Sequence, residues 1–255
     1  MIQRVSEGVL HVVGLSGGDD STLMAFLLKE NEPRPYNYVC TPTGNELPDM
    51  IAHWNWLGSD EGLGRRLIPI MAGTLNSVVR KEKMLPNFRA RFCTRILKIQ
   101  PYEKWLAEQA AQGPVVSYIG LRADEPARVG GLYDHIDGVS QRFPLREWGY
   151  DDPTVLSQLA ERGINIPRRT DCALCYHQRI GEWYLLWKDH PDEFDKGVAL
   201  EAEMGATFRT PGRDTWPSAL VDMRKVFEEG RVPTISLKRM ERERMASGSC
   251  RVCSL

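Results

Sequence analysis

The sequence predicts an α/β protein built on an open, mainly parallel sheet with helices on both faces, followed by a mostly helical, cysteine-bearing C-terminal region. Three observations carry this. Short apolar, β-branched runs alternate with helical patterns over roughly the first 145 residues, the order that builds βαβ units. The first run ends in a glycine turn that opens directly into a helix. Beyond Pro167 the strand pattern stops, and two Cys-x-x-Cys pairs frame a helical stretch.

Val9 to Leu15 (VLHVVGL), bounded by Gly8 and the Ser16-Gly17-Gly18 turn, reads as a buried strand. Ser21 to Glu30 contains no Gly or Pro and is apolar on more than one face, so it reads as a buried helix. Tyr36 to Thr41 and Val115 to Leu121 are further strands. Arg66 to Met71 is another, and its Pro69 points to an edge or a strand end. Helices are expected over Asp49 to Leu57, over Arg95 to Gln112 with a bend or start near Pro101, and over Asp152 to Arg162. Arg179 to Met204 is helical in pattern, with Trp183, Tyr184 and Trp187 facing a core; loops and short helices follow Gly205. The expected organisation is an α/β domain over residues 1–150 and a helical region with the cysteine pairs over 151–255.

Composition narrows the function classes. With 42% hydrophobic and 26% charged residues the chain can bury a full core, which excludes disorder. A formal net charge of −1 leaves no bulk positive field, so a nucleic-acid role requires a local patch. No apolar run approaches the roughly 18–20 residues of a membrane span, and no secretory signal precedes the first strand. The expectation is a cytoplasmic protein without a membrane partner. In that setting the cysteine pairs argue for a metal or cluster rather than disulfides.

Ser16-Gly17-Gly18-Asp19-Asp20-Ser21, lying between strand and helix, has the makings of an anion site. Two glycines let backbone amides converge on a phosphate, and the helix adds unpaired N–H groups and the positive end of its dipole. Ser16 and Ser21 supply hydroxyls. Asp20 calls for a bridging Mg²⁺. The Walker pattern is absent. The plainer alternative is a turn that caps a helix.

This hexapeptide resembles the S-G-G-x-D-S loop of the adenine nucleotide alpha-hydrolase (PP-loop) superfamily. Within that superfamily the chain resembles the phosphoadenosine phosphosulfate (PAPS) reductase group, including phage-encoded members and the DNA phosphorothioation sulfurtransferase. Thr43-Gly44-x-Glu46-x-Pro48-Asp49 resembles that group's D-T-G-x-E-x-P-E-T segment. Arg91-Phe92-Cys93-Thr94-Arg95 with Leu97-Lys98 and Pro101 resembles C-T-x-x-L-K-x-x-P. Gly120-Leu121-Arg122-Ala123-Asp124-Glu125 with Arg128 resembles G-x-R-x-x-E-S-x-x-R, and Pro144-Leu145 with Trp148 resembles P-L-x-x-W. The departures are Asp19 where many relatives carry Lys, Pro42 where Asp is usual, and Pro126 in place of Ser.

The resemblance implies ATP or PAPS as the nucleotide. Its site would be Ser16, Gly17, Gly18, Asp19, Asp20, Ser21, Thr43, Gly44, Glu46, Gly120, Arg122 and Arg128. Relatives that use ATP cleave between its α and β phosphates. Asp20 would then hold Mg²⁺, while Arg122, Lys98 or Arg128 offsets charge near the α-phosphate. Cys93 is a sulfur carrier or an additional ligand, activated by Arg91 and Arg95, or else a small buried residue at a helix start.

Cys172, Cys175, Cys250 and Cys253 supply four thiolates in two pairs, enough for a tetrahedral site. The resemblance implies a [4Fe–4S] cluster, and four-cysteine zinc satisfies the same spacing. Arg89, Arg91, Arg95, Arg168 and Arg169 could join the basic C-terminal third around one cleft, which suits a tRNA or DNA substrate. The leading expectation is a PP-loop enzyme of sulfur-transfer or adenylating chemistry, served by a sulfur donor protein or a thioredoxin-like reductant. The alternatives are a true PAPS reductase releasing sulfite, and a zinc-stabilised nucleic-acid-binding protein with a degenerate nucleotide loop.

Overall fold

A computed structural model describes residues 2–5, 8–129 and 133–244. The chain runs β1 (Leu10–Gly14), α1 (Asp19–Asn31), β2 (Asn37–Cys40), α2 (Pro48–Leu57), β3 (Ile68–Pro69), α3 (Leu75–Glu82) and α4 (Phe92–Thr94). A π-helical turn, Arg95–Ile99, leads into α5 (Gln100–Ala110), β4 (Val115–Tyr118), β5 (Val139–Arg142), α6 (Pro144–Glu147) and α7 (Asp152–Glu161). Four helices end it: α8 (Ile180–Asp189), α9 (Pro191–Met204), α10 (Leu220–Glu228) and α11 (Thr234–Arg244).

The five strands form one sheet in the order β3-β2-β1-β4-β5, every pairing parallel. This is the open parallel α/β sheet expected from the sequence. Alternate residues of the central strands feed two cores, as the period of two requires. Val13 and Tyr118 face α1, α6 and α7, whereas Leu10, Val12 and Val115 face α5. The bend anticipated near Pro101 is the π-helical turn. Pro101 has no N–H to donate, and the N–H of Gln100 reaches back five residues to the Arg95 carbonyl.

One strand escaped the sequence reading. Val139–Arg142 (VSQR) has three polar residues in four and lies at the sheet edge, where only Val139 is buried, so it carries no apolar signature. The single helical stretch expected over 179–204 is two helices. Pro191 starts the second, because it cannot donate to the turn before it.

Packing crosses position 150 in both directions. Val155 and Leu159 of α7 join the core under α1. Val78 and Val79 of α3, with Phe92 and Leu97, join a third core built by α8, α9 and α10 around the fully buried Trp183.

A candidate nucleotide loop beside a thiol pocket

Strand order fixes where a ligand can sit. Connections run from β1 toward β2 on one side and through β4 to β5 on the other. The crevice between the carboxyl ends of β1 and β4 is therefore a topological switch point. The Ser16–Ser21 loop follows β1 and the Gly120–Arg122 loop follows β4, so two motifs a hundred residues apart meet there.

Their approach is close. A Cβ added to Gly120 would lie 3.1 Å from backbone atoms of Asp20 and Ser21. Gly17 has φ +85°, and a Cβ there would meet Met50 Cε at 2.1 Å; both constraints demand glycine. Ser21 Oγ accepts from Gly17 N at 3.2 Å and lies 3.0 Å from Ser16 Oγ. Gly18 occupies the cap position of α1 in extended conformation and makes no side-chain cap hydrogen bond.

A clamp on this loop went unread in the sequence. Trp54 Nε1 donates to Ser16 O at 3.1 Å. His53, stacked on Trp56, is depressed to about 4 by burial against a backbone hydrogen bond to Gly17. Met50, His53, Trp54 and Leu57 are spaced i, i+3, i+4, i+7, a periodicity that marks one face of α2.

Arg122 faces the loop, but its guanidinium is ringed by acid. It bonds Asp20 at 3.0 and 3.1 Å and Asp124 at 2.9 Å, and it lies 3.3 Å from Asp152 and 3.6 Å from Glu125. Burial opposes the charge on Arg122, and the carboxylates of Asp124, Asp20 and Glu125 more than restore it. Burial also pushes Asp20 up to about 6, against the pull of Arg122. Arg128 pairs with Glu125 at 2.9 Å.

The remaining site residues gather on the other side of the switch point. Cys93, Thr94, Lys98, Thr43, Cys172 and Cys175 line one pocket. Cys172-Ala173-Leu174-Cys175 is a tight turn closed by Cys175 N to Cys172 O at 3.2 Å, with the two thiols hydrogen-bonded. The hydrogen bond from Cys172, reinforced by burial, raises Cys175; burial raises Cys93, with Cys175 adding to it. Among the described residues no three His, Cys, Asp or Glu side chains are gathered closely enough to hold a metal ion. Cys250 and Cys253 lie outside the described residues.

Two segments flank this pocket, and the second leads to the loop. In the first, Thr43 Oγ1 and Thr43 N both donate to Glu46 Oε1 at 2.6 Å, and Gly44 turns with φ +68°. Asn45 then accepts from Ala173 N at 2.7 Å on its carbonyl and from Leu174 N at 3.0 Å on its side chain. In the second, Thr170 Oγ1 stands 3.6 Å from where a Cβ on Gly18 would be, and Cys172 is two residues on. Arg169 corrects an expectation: read in the sequence as joining a basic cleft, it has a side chain only 8% exposed that is spent on internal partners. It holds Cys172 O at 3.0 Å, Gln178 Oε1 at 3.2 Å and Asp171 at 3.0 Å.

No family model matches the chain. It is 22% identical over 278 residues to the uncharacterized nin region protein ORF290 of Escherichia phage lambda, covering 95% of this chain and 93% of that protein. Among solved structures it is similar to PAPS reductase from Candida auris in a phosphate complex. That match has 13% identity, 61% and 74% of the two chains and a TM-score of 0.46. It is also similar to the U34-tRNA thiolase NcsA from Methanococcus maripaludis with its [4Fe–4S] cluster, at 19% identity, 76% and 72% of the two chains and the same TM-score of 0.46. No helix among the described residues is long and apolar enough to cross a membrane.

Proposed function

We propose that this chain is an enzyme that binds an adenine nucleotide on the Ser16–Ser21 loop and couples its cleavage to sulfur chemistry in the thiol pocket. One observation carries the reading. Thr170 Oγ1 stands 3.6 Å from where a Cβ on Gly18 would lie, and Cys172 follows within the ~7 Å that two residues span. A phosphate on the loop and a sulfur in the pocket are thus neighbours.

The roles follow from the geometry. Loop amides and the first turn of α1 bind the phosphates of ATP. Asp20 would hold Mg²⁺, since Asp20, Asp124 and Asp152 outnumber the one guanidinium that faces them. Arg122 offsets charge as a substrate oxygen attacks the α-phosphorus, the α–β bridge breaks and pyrophosphate leaves. A sulfur nucleophile held in the pocket then displaces AMP from the adenylated carbon. Lys98 lines the pocket at that point. Soft thiols suit an iron–sulfur cluster or zinc; Cys172 and Cys175 would be ligands, and Cys93 lines the same pocket.

The test is anaerobic purification, iron, sulfide and zinc analysis, and turnover with labelled ATP. AMP and pyrophosphate are the expected products, and Asp20→Ala is expected to abolish them. Release of ADP would refute the reading, and sulfite from PAPS without pyrophosphate would replace it with a reductase.

A further inference from the structure

We infer that Trp54 and His53, on one face of α2, are positioning residues that turn the amides of the Ser16–Ser21 loop toward an incoming pyrophosphate group. The inference rests on the functional reading above and names the residues that pre-organise its anion site.

A trans peptide unit points its carbonyl and its N–H in opposite directions, so a side chain that grips the carbonyl also aims the amide. Trp54 Nε1 donates to Ser16 O at 3.1 Å, on the peptide unit that carries the Gly17 amide. His53 grips the next unit. Its hydrogen bond to the Gly17 backbone favours the protonated ring, so a ring N–H donates and the Gly17 carbonyl accepts. Nε2 is buried and has no hydrogen-bond partner among the described residues, which leaves Nδ1–H as the donor. The two amides then emerge on the far side. Gly17 N donates to Ser21 Oγ at 3.2 Å and Gly18 N to Ser16 Oγ at 3.4 Å, and the two hydroxyls lie 3.0 Å apart. Both amide bonds are longer than the usual value of about 2.9–3.0 Å, so a phosphate oxygen displaces these hydroxyls at little cost.

The two glycines make this grip necessary. Glycine loses more conformational freedom on ordering than any other residue, so the direction of these amides has to be imposed by neighbours. The neighbours are themselves fixed. The His53 ring stacks on Trp56 at 5.6 Å, and Trp56 stacks on Phe26 of α1 at 5.9 Å. Helix α2 thus braces the loop against the same helix that the loop opens. Trp54 Nε1 stands 2.8 Å from where a Cβ on Gly17 would lie, so the indole approaches as closely as it does because that residue is glycine. Trp54 and His53 meet the loop at its carbonyls and act on an anion through the backbone, by aligning dipoles before it arrives.

The experiment is equilibrium dialysis of the full chain with inorganic pyrophosphate and with ATP, each in the presence of Mg²⁺. Trp54→Phe keeps a ring and loses the donor; His53→Leu loses the donor, and His53→Gln returns one on a side-chain amide. Trp54→Phe and His53→Leu are each expected to weaken both ligands roughly tenfold, and His53→Gln to bind within about threefold of wild type, the scale of one hydrogen bond to a charged group. Pyrophosphate should shift the Gly17 and Gly18 amide protons in wild type and His53→Gln, and shift them less in the two weakened variants at saturation. Wild-type affinity in Trp54→Phe overturns the inference. So does His53→Gln binding no better than His53→Leu, which would make the ring's packing, and not its hydrogen bond, the thing that matters. Trp54, being half-buried, decides the matter if His53→Leu fails to fold. Variants that bind ATP as tightly as wild type overturn the inference and leave the functional reading intact. Wild-type protein that binds pyrophosphate but not ATP, with the same losses in the variants, supports the clamp and sinks the functional reading instead. Binding of neither ligand by wild type overturns both.

Discussion

Arg122 and Arg169 are both nearly sealed from solvent, with side chains 6% and 8% exposed, yet they hold the two halves of the candidate site by different means. Arg122 is gripped by charge: Asp20, Asp124, Asp152 and Glu125 surround it. Arg169 meets one carboxylate, and its other contacts are neutral, the carbonyl of Cys172 and the side-chain amide of Gln178. The nucleotide end is thus an electrostatic lock whose strength depends on ionisation. The thiol turn is held mainly by hydrogen bonds to neutral groups, with Asp171 the one carboxylate its arginine meets. An acid-rich lock suits a site that must exchange partners when a phosphate arrives, and a fixed turn suits thiols that must stay in place.

Breaking each arginine should separate the two. Arg122→Gln leaves Asp20 and Asp152 buried without their cation, a loss of about 3–5 kcal/mol, measurable by urea denaturation. Arg169→Gln removes a buried donor from Cys172 O and Gln178, worth about 2 kcal/mol, and should speed alkylation of Cys172 and Cys175. If Arg169→Gln proves the more damaging, the lock lies at the thiol turn and the contrast is reversed.

A smaller effect sharpens the electrostatic half. Asp20 in the folded chain titrates near 6 because burial disfavours its charge, whereas unfolded it returns to about 4. Between those values the folded chain keeps a proton that the unfolded chain has lost, so stability falls as pH rises from about 4 to 6 and is level above. Asp20→Asn should flatten that part of the melting-temperature profile relative to wild type. An identical slope in both proteins would show that Asp20 does not feel its burial.

The two halves also differ in how far they could be read from the sequence. The Ser16–Ser21 loop is contiguous, and its strand, glycines and helix are local signals, so its place at the end of β1 was legible. The thiol pocket is assembled from Thr43, Cys93 and Cys172–Cys175, which only the fold brings together; the sequence showed the Cys-x-x-Cys pair but not that Cys93 lines the same pocket. Arg169 read as part of a basic cleft because two of its partners are a carbonyl and an amide, groups that leave no pattern. Thr170 had no signal at all. Its importance comes from lying one step from Gly18 and two from Cys172. Strand β5 was lost for a related reason, since an edge strand needs no apolar face.

Asn45 gives the finest test, because it belongs to the segment after β2 and yet grips the thiol turn. Its main-chain carbonyl accepts from Ala173 N, and its side chain accepts from Leu174 N. Asn45→Ala keeps the first bond and removes the second, leaving the buried Leu174 amide without its acceptor at a cost of about 1 kcal/mol. Expected are faster hydrogen exchange at Leu174, faster alkylation of Cys172 and unchanged ATP affinity. If ATP affinity falls in step with the loosened turn, the segment transmits strain from pocket to loop. The two regions would then be one cooperative unit, and the difference between their arginines would be a matter of construction and not of independent function.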